Sequence, residues 1–309
     1  MTRFAGLFRR APEEDPMRRF LTLAFVLSTL AAAAIAAGDA VARPAAAGDL
    51  TEERSFDQTL RFSDPAATKR LVVDTVFGSI TVTADGGDTV RASIHEKVRA
   101  ESPDRLAAAR REVTLEIGKE GNTARFYVDG PFRDRNGGSH WHDPGYEVAY
   151  DFDLRVPADL DVTLKTVNGG ELRVTGVHGR FELRNVNGGV EAKEIAGAGS
   201  ATTVNGPLIV TFAANPDGDS SFATVNGDVD LAFRDGLAAD FEVKTLNGET
   251  FADFSVSVLG SPPPAAERDR GRSIYRRGRS MRLRVGQGGP RLAIETVNGD
   301  ILIRNRDGR

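Results

Sequence analysis

Asp228, Glu249 and Asp300 each directly follow the glycine of an Asn-Gly pair. If those pairs stack in register on parallel strands, the three carboxylates lie one above another at about 4.8 Å. That interval is close to the roughly 5 Å between the carboxyl groups of a retaining glycosidase, and it is short enough for the acids to share a divalent cation. The corresponding chemistry is that of a β-helix-type carbohydrate-active enzyme. The plainer alternative is that acids at exposed corners discourage association between molecules and bind nothing. A second constellation is His140-Trp141-His142-Asp143. On a strand the two histidines would share a face and could ligate a metal together with Asp143. The surrounding Asn136, Gly137, Gly138, Ser139 and Pro144 instead read as a loop. His95 and His178 are isolated. There is no nucleophile elbow, phosphate loop or zinc-protease motif, and no cofactor is implied. Gly169-Gly170 and Gly188-Gly189 are corner glycines rather than a dinucleotide fingerprint.

The acids are positioned by a phrase that recurs between Leu164 and Asn305. It reads Thr166-Val167-Asn168-Gly169, Asn185-Val186-Asn187-Gly188, Thr203-Val204-Asn205-Gly206, Thr224-Val225-Asn226-Gly227, Thr245-Leu246-Asn247-Gly248 and Thr296-Val297-Asn298-Gly299. The asparagines step by 19, 18, 21 and 21 residues, then by 51. A period near 20 belongs to arrays in which each unit buries its apolar face only against its neighbours. Before each Asn the apolar residues alternate with polar ones, as in Val162, Leu164 and Thr166 around Lys165, which is the pattern of a half-buried strand. After each Asn the alternation resumes, as in Val229 and Leu231 or Ile301 and Ile303. The Val before Asn falls on the polar parity, so a bend or bulge between Thr and Val that turns the Val inward is expected. Asn-Gly then supplies the positive φ of a tight corner.

Each unit is therefore strand, corner, strand. The chain reads as all-β, a parallel β-solenoid of about 20-residue coils, with Asn168, Asn187, Asn205, Asn226, Asn247 and Asn298 stacked at one corner and hydrogen-bonded up the column. Asn-Gly between alternating strands also signals hairpins, which leaves an antiparallel meander as the alternative. In a meander successive corners would be roughly 10 Å apart, and nothing would require them to be alike.

Residues 1–47 read as a signal peptide or processing segment. Arg18 and Arg19 precede an apolar run from Phe20 to Leu30, an alanine tract, and small-x-small sites at Ala40-Val41-Ala42 and Ala45-Ala46-Ala47. Met17 offers a second plausible start. Cleavage is expected over retention, and membrane attachment would follow only from retention. The absence of cysteine removes disulfides, so an exported chain must rely on burial and hydrogen bonds. A net charge of −4 argues against a nucleic-acid partner.

Residues 48–155 form an N-terminal β region continuous with the repeats. In it Leu71 to Thr83 is a diverged first coil with Phe77-Gly78 in place of Asn-Gly, and Ser102-Pro103-Asp104 opens one short helix. Residues 156–309 are the repeats, interrupted by an Arg-rich insertion at 259–290 that accounts for the 51-residue step. That charge run reads as a solvated loop, with Met281 to Val285 as a further strand. A second expectation is that it folds back to neutralise the acidic column. The last strand, Ile301 to Arg304, reads as a sheet edge protected by Arg304, Arg306 and Arg309.

Val156-Pro157-Ala158-Asp159 followed by these phrases, Gly78-Ser79-Ile80-Thr81-Val82 upstream, and the run from Gly288 to Ile301 together resemble the bacterial putative-adhesin family of unknown function. The likeness runs from about Phe56 to Ile303. It implies an exported β-solenoid-like protein in the periplasm or at the cell surface, and it offers no catalytic residues to carry over. The Arg-rich insertion departs from the family pattern. The function expected is a non-enzymatic envelope or surface module whose partner is an envelope polymer or a surface protein. The alternatives are the enzyme built on Asp228, Glu249 and Asp300, and a periplasmic scaffold or stress-sensor component held by an uncleaved leader.

Overall fold

The computed structural model describes residues 50–64, 66–133, 144–260, 267–269, 272–276 and 280–308. The chain divides into two units, Met1–Ala46 and Ala47–Arg309. The signal segment read at 1–47 and the candidate metal residues His140, His142 and Asp143 lie outside the described residues. Among the described residues no helix is long and apolar enough to cross a membrane.

The first part contributes β1 (Leu50–Arg61), β2 (Lys69–Asp74), β3 (Ile80–Ala84), β4 (Thr89–Ala100), helix α1 (Pro103–Glu112), β5 (Thr114–Glu120), β6 (Thr123–Asp129) and β7 (Tyr146–Val156). The repeats contribute β8 (Leu160–Lys165), β9 (Leu172–Thr175), β10 (Phe181–Arg184), β11 (Val190–Ile195), β12 (Gly199–Thr202), β13 (Leu208–Phe212), β14 (Ser220–Ala223), β15 (Val229–Phe233), β16 (Ala239–Asn247) and β17 (Glu249–Ala252). The last part contributes β18 (Val256–Val258), β19 (Glu267–Asp269), β20 (Arg272–Arg276), β21 (Met281–Val285), β22 (Arg291–Asn298) and β23 (Ile301–Asn305).

Among the described residues the protein is all-β with one helix, arranged as two open sheets. One runs β1-β4-β7-β3-β9-β11-β13-β15-β23-β17-β20-β19 and the other β18-β21-β16-β22-β14-β12-β10-β8-β2-β6-β5. Each strand–corner–strand unit gives one strand to each sheet. Successive units pair in parallel, as β8 with β10 and β9 with β11. This overturns the antiparallel meander for the repeats. Antiparallel pairing is confined to the two ends, where β1, β4 and β5 close one and β18 to β21 the other. The alternating residues read as apolar face inward. Leu164, Leu183, Leu208, Leu231 and Val243 are all fully buried. Phe212 and Phe233 stack inside at 4.9 Å, and Phe222 and Phe241 meet them edge-on.

Units do not stack in chain order. β2–β3 lies between β6–β7 and β8–β9, and β22–β23 lies between β14–β15 and β16–β17. The 51-residue step is therefore not one coil with a loop inserted after it. The chain leaves the stack after β17, builds antiparallel strands onto both sheets, and returns to slip its last unit one position inward. β23 is thus internal, which corrects the expected edge. Arg304 Nε donates to Asp230 Oδ1 at 2.7 Å, and Arg306 holds both oxygens of Glu194 and the Phe212 carbonyl.

Within the Arg-rich insertion Met281–Val285 is a strand, as expected: β21 alternates Leu283 and Val285 inward with Arg282 and Arg284 outward. β19 and β20 are strands where a solvated loop was expected, and β20 runs antiparallel to β17 with Arg276 opposite Glu249 in register. The bend expected before the asparagine is present at Val186, Val204 and Val225, whereas β16 and β22 continue as strand from Val243↔Ile294 to Asn247↔Asn298. It does not bury the residue before Asn at every corner. Val204 is buried by its neighbours, Val167, Val186, Val225 and Val297 are half-buried, and Leu246 is 61% exposed.

At the N-terminal end Ser102 caps α1 by accepting from the Arg105 N–H at 3.3 Å, with Pro103 in the first turn. The helix hands Arg110 to Glu96, a carboxylate whose side chain is 4% exposed. Glu96 also accepts from Arg54 of β1 and from the Tyr150 hydroxyl of β7. Burial pushes the Glu96 carboxyl up, but Tyr150, Arg54 and Arg110 outweigh it and hold the carboxyl below its ordinary value of 4.5. A lowered folded value means that this node stabilises the fold above the unfolded value and is lost as pH falls through the folded one. The melting temperature is therefore expected to drop on acidification below pH 4.5, and Glu96→Gln should remove part of that drop while lowering stability at neutral pH.

Amide exchange tests the placement of the last unit. N–H groups from Ile301 to Asn305 should exchange as slowly as those from Val229 to Phe233, whereas an edge strand would exchange alternate amides orders of magnitude faster.

Candidate functional site: the stacked corners

Three sets of bonds tie each corner to the next. The first is an amide ladder. Asn187 Nδ2 donates to Asn168 Oδ1 (2.6 Å), Asn205 to Asn187 (2.8 Å), Asn226 to Asn205 (2.8 Å), Asn298 to Asn226 (2.7 Å) and Asn247 to Asn298 (2.8 Å). Phe77 occupies the rung before Asn168, bridged to it in parallel.

The second set explains the threonine, whose recurrence the strand pattern leaves unexplained. Thr166, Thr203, Thr224, Thr296 and Thr245 are buried, and each donates its hydroxyl to the corner-glycine carbonyl of the adjacent unit, namely Gly78, Gly188, Gly206, Gly227 and Gly299, at 2.8 to 3.0 Å. Where the phrase has Asn185 instead, its Nδ2 reaches the Gly170 carbonyl at 3.0 Å. The fixed offset of Thr from Asn was the signal available in the sequence.

The third set is backbone. The Asn226 N–H donates to the Val204 carbonyl and the Gly227 N–H to the Asn298 carbonyl, and the same pair recurs at the neighbouring corners. This close stacking is what requires glycine. A Cβ on Gly227 would lie 2.2 Å from the Gly206 carbonyl oxygen, and one on Gly299 2.0 Å from that of Gly227.

The acids belong to the same ladder. In space their order is Asp228, Asp300, Glu249, because the last unit sits inward of the one before it. Asp228 Oδ1 accepts the Asp300 N–H and Asp300 Oδ1 accepts the Glu249 N–H, each at 2.8 Å. One oxygen of each aspartate is thereby committed to the neighbouring backbone. Among the described residues no group of three or more His, Cys, Asp or Glu is placed to hold a metal. Arg276 of the insertion lies opposite Glu249, at the outer end of this row.

No family model and no curated protein matches the chain. Three solved structures do. A putative cell adhesion protein from Clostridium sporogenes is 8% identical, with 82% of this chain and 100% of that one covered at a TM-score of 0.36. Putative adhesins from Bacteroides fragilis (10% identical, 82% and 97% covered, TM-score 0.35) and Parabacteroides distasonis (10%, 81% and 96%, TM-score 0.25) follow. Its structural neighbours are bacterial putative adhesins. At these TM-scores the functional reading rests on the corners themselves.

Thr250 provides a control for the corner threonines. It is fully buried in β17, beside Ile301, and its hydroxyl has no hydrogen-bond partner. The same substitution should act in opposite directions at the two kinds of site. Thr224→Val strands the Gly206 carbonyl and should destabilise by about 1–3 kcal/mol, whereas Thr250→Val removes an orphan hydroxyl and should stabilise by about 1 kcal/mol. Denaturant unfolding reads both.

Proposed function

We propose that the chain is a non-enzymatic, exported envelope or surface module: a β-solenoid, processed within 1–47, whose regular exterior binds an envelope polymer or a surface protein. The observation that carries this reading is the use made of the acids that follow the corner glycines. Asp228 and Asp300 each give an oxygen to the backbone N–H of the next unit. A glycosidase pair instead needs two carboxyl groups facing a shared gap, one of them free to take up and release a proton. What remains is a rigid frame with two long faces and one edge of evenly spaced groups, pre-organised for a repeating ligand.

Incubation of the purified chain with a panel of polysaccharides, with and without calcium, should give no turnover. Pull-down with envelope fractions should give specific retention. Turnover abolished by Asp228→Asn would overturn the reading in favour of the enzyme.

A further inference from the structure

We propose that the corner edge is itself the binding site, and that it takes an extended, uncharged β-linked polysaccharide lying along the stacking axis. This rests on the binding-module reading and assigns it a surface and a ligand class.

The amide ladder leaves unused valences. An asparagine amide has two N–H donors and an oxygen with two lone pairs. Within the ladder each interior Asn uses one donor and one lone pair, so each rung keeps one of each. Asn205, Asn226, Asn298 and Asn247 are exposed. Their neighbours hold them, so a ligand need not order them on binding. The result is a straight row of donor–acceptor pairs about 4.8 Å apart.

That interval selects the ligand. A peptide strand presents groups on one edge at about twice the 3.3 Å rise per residue, out of step with the rungs. The rings of an extended β-1,4-linked polysaccharide follow one another at nearly one rung and present the same edge at nearly every second rung, so the chain stays in step with the ladder, and both edges of each ring carry groups that donate and accept.

The rows flanking the amides fit the same ligand. On one side runs an apolar strip of half-buried Val167, Val186, Val225 and Val297, interrupted at buried Val204 and ending in exposed Leu246, against which the C–H face of a sugar ring can lie. At the other end of the ladder half-buried Phe77 stands in the asparagine position, edge-on to Phe132 at 6.1 Å, and offers a ring face to a terminal sugar. On the other side Asp228, Asp300 and Glu249 form an acidic row that repels polyanions. The chemistry is therefore that of a neutral glycan rather than a polyuronate or a nucleic acid.

The test measures retention of the purified chain on chitin and on β-1,4-glucan, with dextran as a flexible α-linked control and polygalacturonate as an acidic one. Two variants are compared with the wild type, each checked by thermal melting. Val225→Arg keeps every ladder amide and covers the apolar strip, and Asn226→Ala removes one rung. Retention of the wild type on the β-1,4 polymers alone, with a several-fold loss in Val225→Arg, is the expected result. Should Asn226→Ala fail to fold, Val225→Arg carries the test. Undiminished retention in folded Val225→Arg, or equal retention on polygalacturonate, overturns the proposal. Binding to envelope protein but to none of the polymers overturns the edge assignment and leaves the binding-module reading standing. Absence of all binding removes both.

Discussion

The structure depends on close stacking of one corner on the next. At each step an asparagine amide, a buried threonine hydroxyl and the backbone of the Asn-Gly turn all reach the adjacent unit. The approach is so close that no side chain fits at Gly227 or Gly299. The hydroxyl bonds are buried, so losing one partner leaves a stranded carbonyl rather than one that turns to water. The strands themselves are short, often four or five residues, and a parallel ladder of that length is a modest source of register. The corners supply the register that the strands lack, and the apolar alternation on either side then closes the core without disulfides.

Identical corners have a consequence for topology. Because every rung offers the same bonds, a unit can enter the column wherever its flanking residues fit, and chain order need not be spatial order. Two contacts belong to the inward position of the last unit: Arg304 pairs with Asp230 across β23 and β15, and the Arg291 N–H donates to Asp219 beside β14. Exposed pairs of this kind add little stability individually. Lys244 with Glu295 and Arg291 with Glu242 join β22 to β16 and would form in either order. The antiparallel strands at both ends terminate the parallel stack and keep it from offering another unit-shaped slot.

Much of this was legible in the residues and some was not. Asn spacing near 20 and period-two alternation pointed to stacked strand–corner–strand units, and Ser102-Pro103 marked the helix start. Spatial order was hidden, since a phrase repeated identically carries no information about which copy lies beside which. The order of the acids was hidden for the same reason: they do lie one above another, but only the inward placement of the last unit brings Asp300 between the other two. The valine before each Asn was expected to turn inward at a bend or bulge. The chain does bend at Val186, Val204 and Val225, but only Val204 is fully covered, and where β16 continues as strand Leu246 is left bare on the last rung of the ladder. In the Arg-rich insertion the short alternation around Leu283 and Val285 marked β21, whereas the charge run hid the strands β19 and β20.

The corner geometry also shapes the functional reading. Carboxylates that secure a backbone are poorly placed to move protons, while an exposed amide row at fixed interval is suited to a ligand that repeats. Both statements depend on the order of rungs, and that order can be tested directly because the chain has no cysteine of its own. Adjacent rungs, about 4.8 Å apart, fall within disulfide reach, and alternate rungs, at about twice that, do not. Under mild oxidation the paired variants Asn226→Cys with Asn298→Cys and Asn298→Cys with Asn247→Cys should each form an intrachain disulfide, and Asn226→Cys with Asn247→Cys should remain reduced. Ready crosslinking of the 226 and 247 positions, with none between 226 and 298, would contradict the account.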